Sequence, residues 1–183
     1  MPVGFDQSFY NVSDRGYLAE NFPGYLVTNS SLIPTAGRYE MVRLKVPQAG
    51  LCTNIVLHLN TPGSGLTAGQ NFAALYYAGP AQAVIAQSVD QSTNWATGGN
   101  RSCQLNGGPY YLHAGEYYAI FWWNGGTAPS VSRMASIAAG AANGNTTAPN
   151  FLYAFNAAGL TTAAPATLGT QSANGTTWWV GLS

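Results

Sequence analysis

Short runs in which apolar and polar residues alternate recur along the chain from Tyr39 onward. In the first run Val42, Leu44 and Val46 occupy every second position, which is the period of a β-strand with one buried face. Similar runs follow at intervals of roughly ten residues and are separated by Gly, Pro and Asn. The predicted strands are Tyr39–Val46, Leu51–Leu59, Phe72–Ala78, Ala83–Ser88, Arg101–Leu105, Tyr110–Leu112, Glu116–Trp123, Ser130–Ser136, Phe151–Phe155 and Thr177–Leu182. No run has the spacing and end signals of a helix of several turns.

The segment Glu116–Trp123 is apolar on both of its alternating sets of positions. One set is Tyr117, Phe121 and Trp123, and the other is Tyr118, Ile120 and Trp122. A strand that is apolar on both faces is covered on both faces. We therefore expect one set to fill the core. The set with Tyr118 and Trp122 is expected to contact the N-terminal arm or a neighbouring subunit.

These patterns predict an all-β fold, namely a single antiparallel β-sandwich of jelly-roll type over residues 39–183. The length of 183 residues suits one domain with a hydrophobic core. In the second run Leu51, Ile55 and Leu57 share one parity, and Cys52 and His58 share the other. The pattern therefore predicts that Cys52 points away from the core and Leu51 towards it.

Residues 1–38 differ from the rest in showing weak periodicity and scattered aromatic side chains. They are predicted to form an extended N-terminal arm that anchors the protein to a partner through Phe5, Phe9, Tyr10 and Tyr17. Eight of the chain's twelve Lys, Arg, Asp and Glu residues lie within residues 1–45, so this end is also chemically distinct. The alternative is that the segment forms an ordinary N-terminal strand that closes the sandwich.

Charged residues make up only 7% of the chain, compared with about a quarter in typical soluble proteins. Nucleic-acid binding requires an excess of Lys and Arg, whereas here six of them balance six Asp and Glu. No apolar stretch reaches the roughly 18 residues of a membrane span, and the first residues lack the features of a signal peptide. We expect a protein without nucleic-acid or membrane partners, whose neutral surface faces other proteins or neutral ligands.

The sequence shows no arrangement typical of catalysis. His58 and His113 occur without a nucleophile motif, and the few carboxylates show no spacing that pairs them in one cleft. A Cys₂His₂ zinc site from Cys52, His58, Cys103 and His113 lacks the short ligand spacings of structural zinc. No metal and no cofactor are therefore expected. Cys52 and Cys103 are expected to be buried free thiols, with a disulfide as the alternative.

A sugar site is the most plausible binding chemistry in the sequence. Trp95 and Asn94 lie in a loop and offer the aromatic face and carboxamide that neutral sugars use. The competing interpretation is that tryptophans fill the core and interfaces, as they most often do. We expect Trp95 to be exposed because it is the tryptophan that lies in a predicted loop.

Two stretches, Leu112–Tyr118 and Trp122–Pro129, resemble small β-sandwich virion proteins of tailed bacteriophages. The similarity is to minor tail proteins, especially those of phages that infect actinobacteria. Further similar segments are Val42–Leu44, Gly65–Gly69, Leu75–Tyr77 and Trp178–Val180. The resemblance extends from about Tyr39 to residue 183 and does not include the arm. It implies a structural or host-contact role and carries over no catalytic residue.

The expected function is that of a non-catalytic structural protein of a phage virion, either a capsid decoration or a minor tail protein. We expect assembly in the host cytoplasm with other virion proteins, as a homo-oligomer such as a trimer. The alternative is a lectin-like receptor-binding head that recognises host cell-surface glycans. A free-standing carbohydrate enzyme or binding module is disfavoured, because neither a secretion signal nor a carboxylate pair is evident.

Overall fold

The computed structural model describes residues 15–156 and 159–183, apart from the side chain of Ala135. The strands of the first half are β1 (Ala19–Glu20), β2 (Asn29–Leu32), β3 (Tyr39–Val46), β4 (Gly50–Cys52), β5 (Asn54–Thr61), β6 (Ser64–Leu66), β7 (Phe72–Tyr77) and β8 (Val84–Gln87). Those of the second half are β9 (Gly99–Gln104), β10 (Tyr110–Leu112), β11 (Gly115–Trp122), β12 (Gly125–Thr127), β13 (Ser130–Ser136), β14 (Tyr153–Asn156), β15 (Ser172–Ala173), β16 (Thr176–Trp178) and β17 (Gly181–Leu182). The described helix α1 (Ala139–Ala142) is a single turn.

Two antiparallel sheets pack against each other, which confirms the predicted all-β sandwich. The seven-stranded sheet has the order β1-β17-β5-β13-β16, with β2 beside β13 and β9 beside β5. The six-stranded sheet has the order β15-β14-β3-β11-β7-β8. The strands of six or more residues, from β3 to β13, alternate between the two sheets, so the chain repeatedly crosses from one sheet to the other. The pairs β4–β10 and β6–β12 form two small additional sheets.

The core lies between the two sheets and follows the predicted alternation. Val42, Leu44 and Val46 on β3 are at most 1% exposed and pack with Leu57 of β5 and Phe121 of β11. Because successive side chains of a strand point to opposite faces, each long strand supplies every second residue to this core. The tryptophan ring of Trp178 enters the same cluster from the end of β16.

The outer face of the six-stranded sheet is covered by the chain itself, which corrects the expectation of an arm or a neighbouring subunit there. Tyr118 is 2% exposed and Trp122 is 0% exposed, because the segments before β14 and between β14 and β15 pack on this face. The indole nitrogen of Trp122 donates to the Thr161 carbonyl at 3.1 Å, and the Tyr118 hydroxyl donates to the Pro149 carbonyl at 2.8 Å. A second apolar cluster results, which includes Leu168.

The described part of the predicted arm belongs to the sandwich, as the alternative interpretation proposed. Strand β1 pairs with β17, and β2 pairs with β13 over Asn29–Leu32. Both strands are short and lack clear alternation, which is why the hydrophobic pattern did not identify them. The boundary predicted at residue 38 is therefore wrong for residues 19–32. Residues 1–14, with Phe5, Phe9 and Tyr10, lie outside the described residues.

The predicted strand Leu51–Leu59 is broken at Thr53, and this break reverses the orientation of its first residues. Cys52 is 0% exposed and lies in the core, whereas Leu51 is 61% exposed. Strand β4 pairs with β10, while β5 pairs with β9 and continues with the predicted parity. A one-residue interruption moves every preceding side chain to the opposite face. The prediction that Cys52 points outward is therefore wrong.

Candidate functional site

A polar groove lies on the outer face of the seven-stranded sheet, which residues 15–156 and 159–183 leave open. It consists of two adjoining depressions of about 280 and 390 Å³ that share Val27 and His58. We call it the His58 groove. The residues that line it are Arg15, Tyr17, Gly24, Val27, Thr28, Asn29, Ser30, His58, Asn60, Asn100, Ser132 and Trp179.

The floor of the His58 groove comes from strands whose outward positions are polar. His58 on β5 is directly opposite Asn100 on β9, and Ser132 on β13 is opposite Ser30 on β2. The inward neighbours Leu57 and Val131 are 0% exposed, so the alternation that builds the core also places these polar side chains outside. The floor therefore presents hydroxyl, carboxamide and imidazole groups.

His58 is oriented by a neighbouring hydroxyl group. Its Nδ1 lies 2.7 Å from the Oγ of Ser132, and this contact joins β5 to β13 on the outer face. Ser132 is only 2% exposed. In a Ser–His–acid triad the nucleophile contacts Nε2 while Nδ1 binds the acid. Here Nδ1 of His58 contacts the serine hydroxyl instead, and no carboxylate contacts His58 in the described part of the chain.

One wall of the groove is aromatic. The rings of Tyr17 and Trp179 meet edge to face with centroids 5.6 Å apart. The Arg15 guanidinium lies 5.8 Å from the centre of the Tyr17 ring. The Trp179 indole nitrogen donates to Oε2 of Glu20 and to the Phe22 carbonyl, each at 3.1 Å. Trp179 is therefore held rigidly, whereas Tyr17 is half-buried and forms the rim.

The charges beside this wall are paired. Nη1 of Arg15 lies 3.6 Å from Oε1 of Glu20, whose side chain is 1% exposed. Burial raises the pKa of Glu20, and the hydrogen bonds from Trp179 and the Gly24 amide oppose that shift. Because Arg15 is paired with this buried carboxylate, the groove carries little net charge.

The tryptophan predicted to be an exposed sugar contact is buried. Trp95 is 0% exposed and belongs to the main core, because its backbone amide binds the Gln91 carbonyl and its carbonyl binds the Gly63 amide. The prediction that it offers a face to a ligand is therefore wrong. Asn94 uses its carboxamide to bind Gln91 and the Ser102 carbonyl. Neither residue lines the His58 groove.

The predicted anchoring residues are also not brought together. Tyr118 and Trp122 lie beneath the chain's own C-terminal segment on the other sheet. Tyr17 packs on Trp179 within the same chain. Sequence reasoning missed the groove because its residues come from six separate segments, and none of them shows a local motif. The one sequence feature that could have indicated the groove is the polar character of the outward positions on β5, β9 and β13.

The four Cys and His residues considered for zinc lie apart. Cys52 and Cys103 are free and buried, His58 is on the outer face of the seven-stranded sheet, and His113 is exposed beside Tyr111. Among residues 15–156 and 159–183, no three side chains of His, Cys, Asp or Glu come close enough to hold a metal ion. Within the same residues no helix is long and apolar enough to cross a membrane.

The sequence matches no protein-family model, and no curated protein matches it significantly.

Proposed function

We propose that this protein is a non-catalytic structural component of a tailed-phage virion, carried on the particle surface as a capsid decoration or minor tail protein. It assembles in the host cytoplasm with other virion proteins and with copies of itself. The resemblance of residues 39–183 to virion sandwich proteins supports this proposal, and so does the surface of the folded chain.

Folding leaves the surface with very few charges. Among the described residues, the charged side chains that are largely exposed are Arg15, Lys45 and Glu116. Glu20 and Glu40 are buried. Charge is what normally keeps the surfaces of soluble proteins apart, so a surface this neutral favours association.

The proposal depends on one edge of the seven-stranded sheet, at β2. Among residues 15–156 and 159–183, β2 is an edge strand with β13 as its one neighbour, and its residues Asn29–Leu32 include no charge and no proline. Edge strands that remain free in solution are usually protected by such residues. Large exposed apolar side chains occur in β2 and β13 and in the residues that adjoin them in sequence, namely Tyr25, Leu26, Leu32, Met134 and Ile137. We infer that a protein partner in the particle covers this edge.

A pair of leucine substitutions tests the assembly role. Leu32 is 53% exposed beside the β2 edge, and Leu51 is 61% exposed on β4. We expect Leu32→Lys to reduce both the mass of the purified assembly, measured by light scattering, and its incorporation into particles. Leu51→Lys adds the same charge elsewhere and should change neither. Equal behaviour of the two variants would count against an interface at β2.

Anchoring through Phe5, Phe9 and Tyr10 is tested by deleting residues 1–14. This variant retains β1 and β2, whereas a deletion of residues 1–38 removes two strands of the seven-stranded sheet. We expect the shorter deletion to fold, with a cooperative thermal unfolding transition, and to lose incorporation into particles. Normal incorporation would exclude these three residues as the anchor.

The His58 groove favours a second function, a lectin-like receptor-binding head that recognises host cell-surface glycans. Its uncharged polar floor and aromatic wall are the groups that bind neutral sugars. The test is binding of the fluorescently labelled protein to host cells and to purified host cell-wall polysaccharide. Binding that added polysaccharide competes away supports the receptor role, and absence of binding to either contradicts it.

A further inference from the structure

We propose that the His58 groove binds one or two residues of a neutral saccharide, with Asn100, Asn60 and His58 as hydrogen-bonding groups and Tyr17 as the stacking surface. This inference rests on the receptor-binding alternative above and assigns to it the size of the ligand and the residues that hold it. It replaces the loop residues Trp95 and Asn94, of which Trp95 is buried.

The size and position of the groove fit a small ligand. The two depressions, of about 280 and 390 Å³, lie near the lower end of the roughly 300–1,000 Å³ that is typical of ligand pockets. They adjoin at His58, so a ligand of two linked rings can contact both. The comparable face of the other sheet is occupied by the segment that carries Thr161 and Leu168.

Several polar groups of the groove have no partner in the described protein and are available to a ligand. Within residues 15–156 and 159–183, the side-chain carboxamides of Asn60 and Asn100 form no hydrogen bond. Nε2 of His58 forms none with these residues either. Each carboxamide offers two N–H donors and one oxygen acceptor. Vicinal sugar hydroxyls are both donors and acceptors, so they match such groups without requiring charge.

The charge distribution disfavours the main competing ligand class, namely anions. An unpaired cation strengthens the binding of a phosphate or carboxylate, because it compensates the charge of a desolvated anion. Arg15, the charged residue that lines the groove, is paired with the buried Glu20. The aromatic rim at Tyr17 instead provides an apolar surface for the C–H face of a sugar ring.

Nuclear magnetic resonance provides a direct test, because the chain contains five Trp residues and each gives one indole N–H signal. The probes are the methyl glycosides of glucose, galactose, mannose and N-acetylglucosamine, with methyl glucuronide as the charged comparison. We expect a neutral probe to shift the Trp179 indole and the Asn60 and Asn100 side-chain signals. The indole signal of Trp95, which lies in the core, should not move.

Two exposed residues on the outer face of β9 form the matched variants. Asn100 lines the groove, while Gln104 is four residues along the same strand and outside it. We expect Asn100→Ala to weaken binding about tenfold, the effect of one lost hydrogen bond to a ligand. Gln104→Ala should leave the affinity unchanged. Because both side chains are exposed, neither substitution is expected to affect folding.

The outcomes separate this inference from the receptor role. If Asn100→Ala still binds host cells and the sugar shifts resonance signals outside the groove, the receptor function stands. The groove is then overturned as its site. Preferential binding of the glucuronide overturns the neutral ligand class. Failure of every probe to shift a groove signal, while polysaccharide still binds, also overturns the groove. If the unmodified protein binds no polysaccharide and no host cells, the receptor role itself is overturned.

Discussion

The indole nitrogen of Trp178 donates a hydrogen bond to Oε2 of Glu40 at 3.2 Å, across 138 residues of sequence. Glu40 belongs to β3 of the six-stranded sheet and Trp178 to β16 of the other, so this contact bridges the two sheets. The Asn174 carboxamide donates to the same oxygen, and Nε of Arg38 lies 2.8 Å from the other. A buried carboxylate with three partners therefore ties the sandwich together.

The first prediction concerns the dependence of stability on pH. Burial raises the pKa of Glu40 from 4.5 to about 7, while Arg38, Trp178 and Asn174 oppose the shift. The folded state then binds the proton more tightly than the unfolded state does. The stabilisation is fully present below the unfolded pKa and is lost as the pH rises through the folded pKa, so stability decreases between about pH 4.5 and 7. The decrease attributable to this group is about 3 kcal/mol.

Urea unfolding across this pH range measures the effect. Glu40→Gln should flatten the pH dependence, because an amide does not titrate. Glu116→Gln is the control, since Glu116 forms an exposed ion pair with Arg43 at 3.4 Å and such pairs contribute about 1 kcal/mol or less. If the unfolding free energy of Glu40→Gln depends on pH as steeply as that of the parent protein, another group is responsible.

The second prediction concerns the cover on the six-stranded sheet. Trp122 packs against Phe72 with ring centroids 5.4 Å apart and binds the Thr161 carbonyl. Trp122→Ala should destabilise the protein by about 3–5 kcal/mol, because it leaves a large cavity. It should also expose the segment around Thr161 to proteases. Tyr77→Ala on the neighbouring β7 is the control, since Tyr77 is 54% exposed. Equal protease resistance of the two variants would mean that Trp122 does not hold the segment.

The third prediction concerns Asn143, a fully buried carboxamide that follows α1. Its Nδ2 donates to the carbonyls of Ala139 and Asn174 at 2.9 and 3.1 Å. Its Oδ1 accepts from the Tyr153 amide at 2.8 Å. Asn143→Ala removes the partner of the Asn174 carbonyl and of the Tyr153 amide, whereas the Ala139 carbonyl still accepts from the Asn143 backbone amide. The substitution should cost about 2–4 kcal/mol.

Thermal or urea unfolding of Asn143→Ala measures this cost. The matched variant is Asn150→Ala, because Asn150 is exposed in the same loop region. It should differ from the parent protein by no more than about 0.5 kcal/mol. If both variants are equally stable, water replaces the hydrogen bonds of Asn143 and these bonds make no net contribution to stability.

The fourth prediction concerns the two thiols. Cys52 and Cys103 are both 0% exposed, and burial raises their pKa to about 11 and about 12. Thiolates are the reactive form, so neither should react quickly with an aromatic disulfide reagent at neutral pH in the native state. In guanidinium chloride both should react at once. Rapid labelling of one thiol in native protein would show that its strand opens frequently.

Local patterns in the sequence were sufficient for most of the β-strands. Alternation in residues 39–46 and 116–123 predicted β3 and β11 to within one residue, because the direction of successive side chains is a property of the strand itself. Both faces of β11 were correctly expected to be covered. The strands β1 and β2 were not identified as such, since two and four residues are too few to show a period.

What covers each face depended on contacts between distant segments, and the sequence carried no local sign of them. The second face of β11 lies beneath residues on either side of β14, where an arm or a neighbouring subunit was expected. Trp95 was predicted in a loop, but it lies in a one-turn 3₁₀ helix, Asn94–Ala96, and is 0% exposed. A position between strands does not determine whether a side chain is buried. The His58 groove exists because residues between Arg15 and Trp179 meet on one sheet face. Folding alone creates such a surface, because hydrogen-bonded strands bring together residues that the chain keeps far apart.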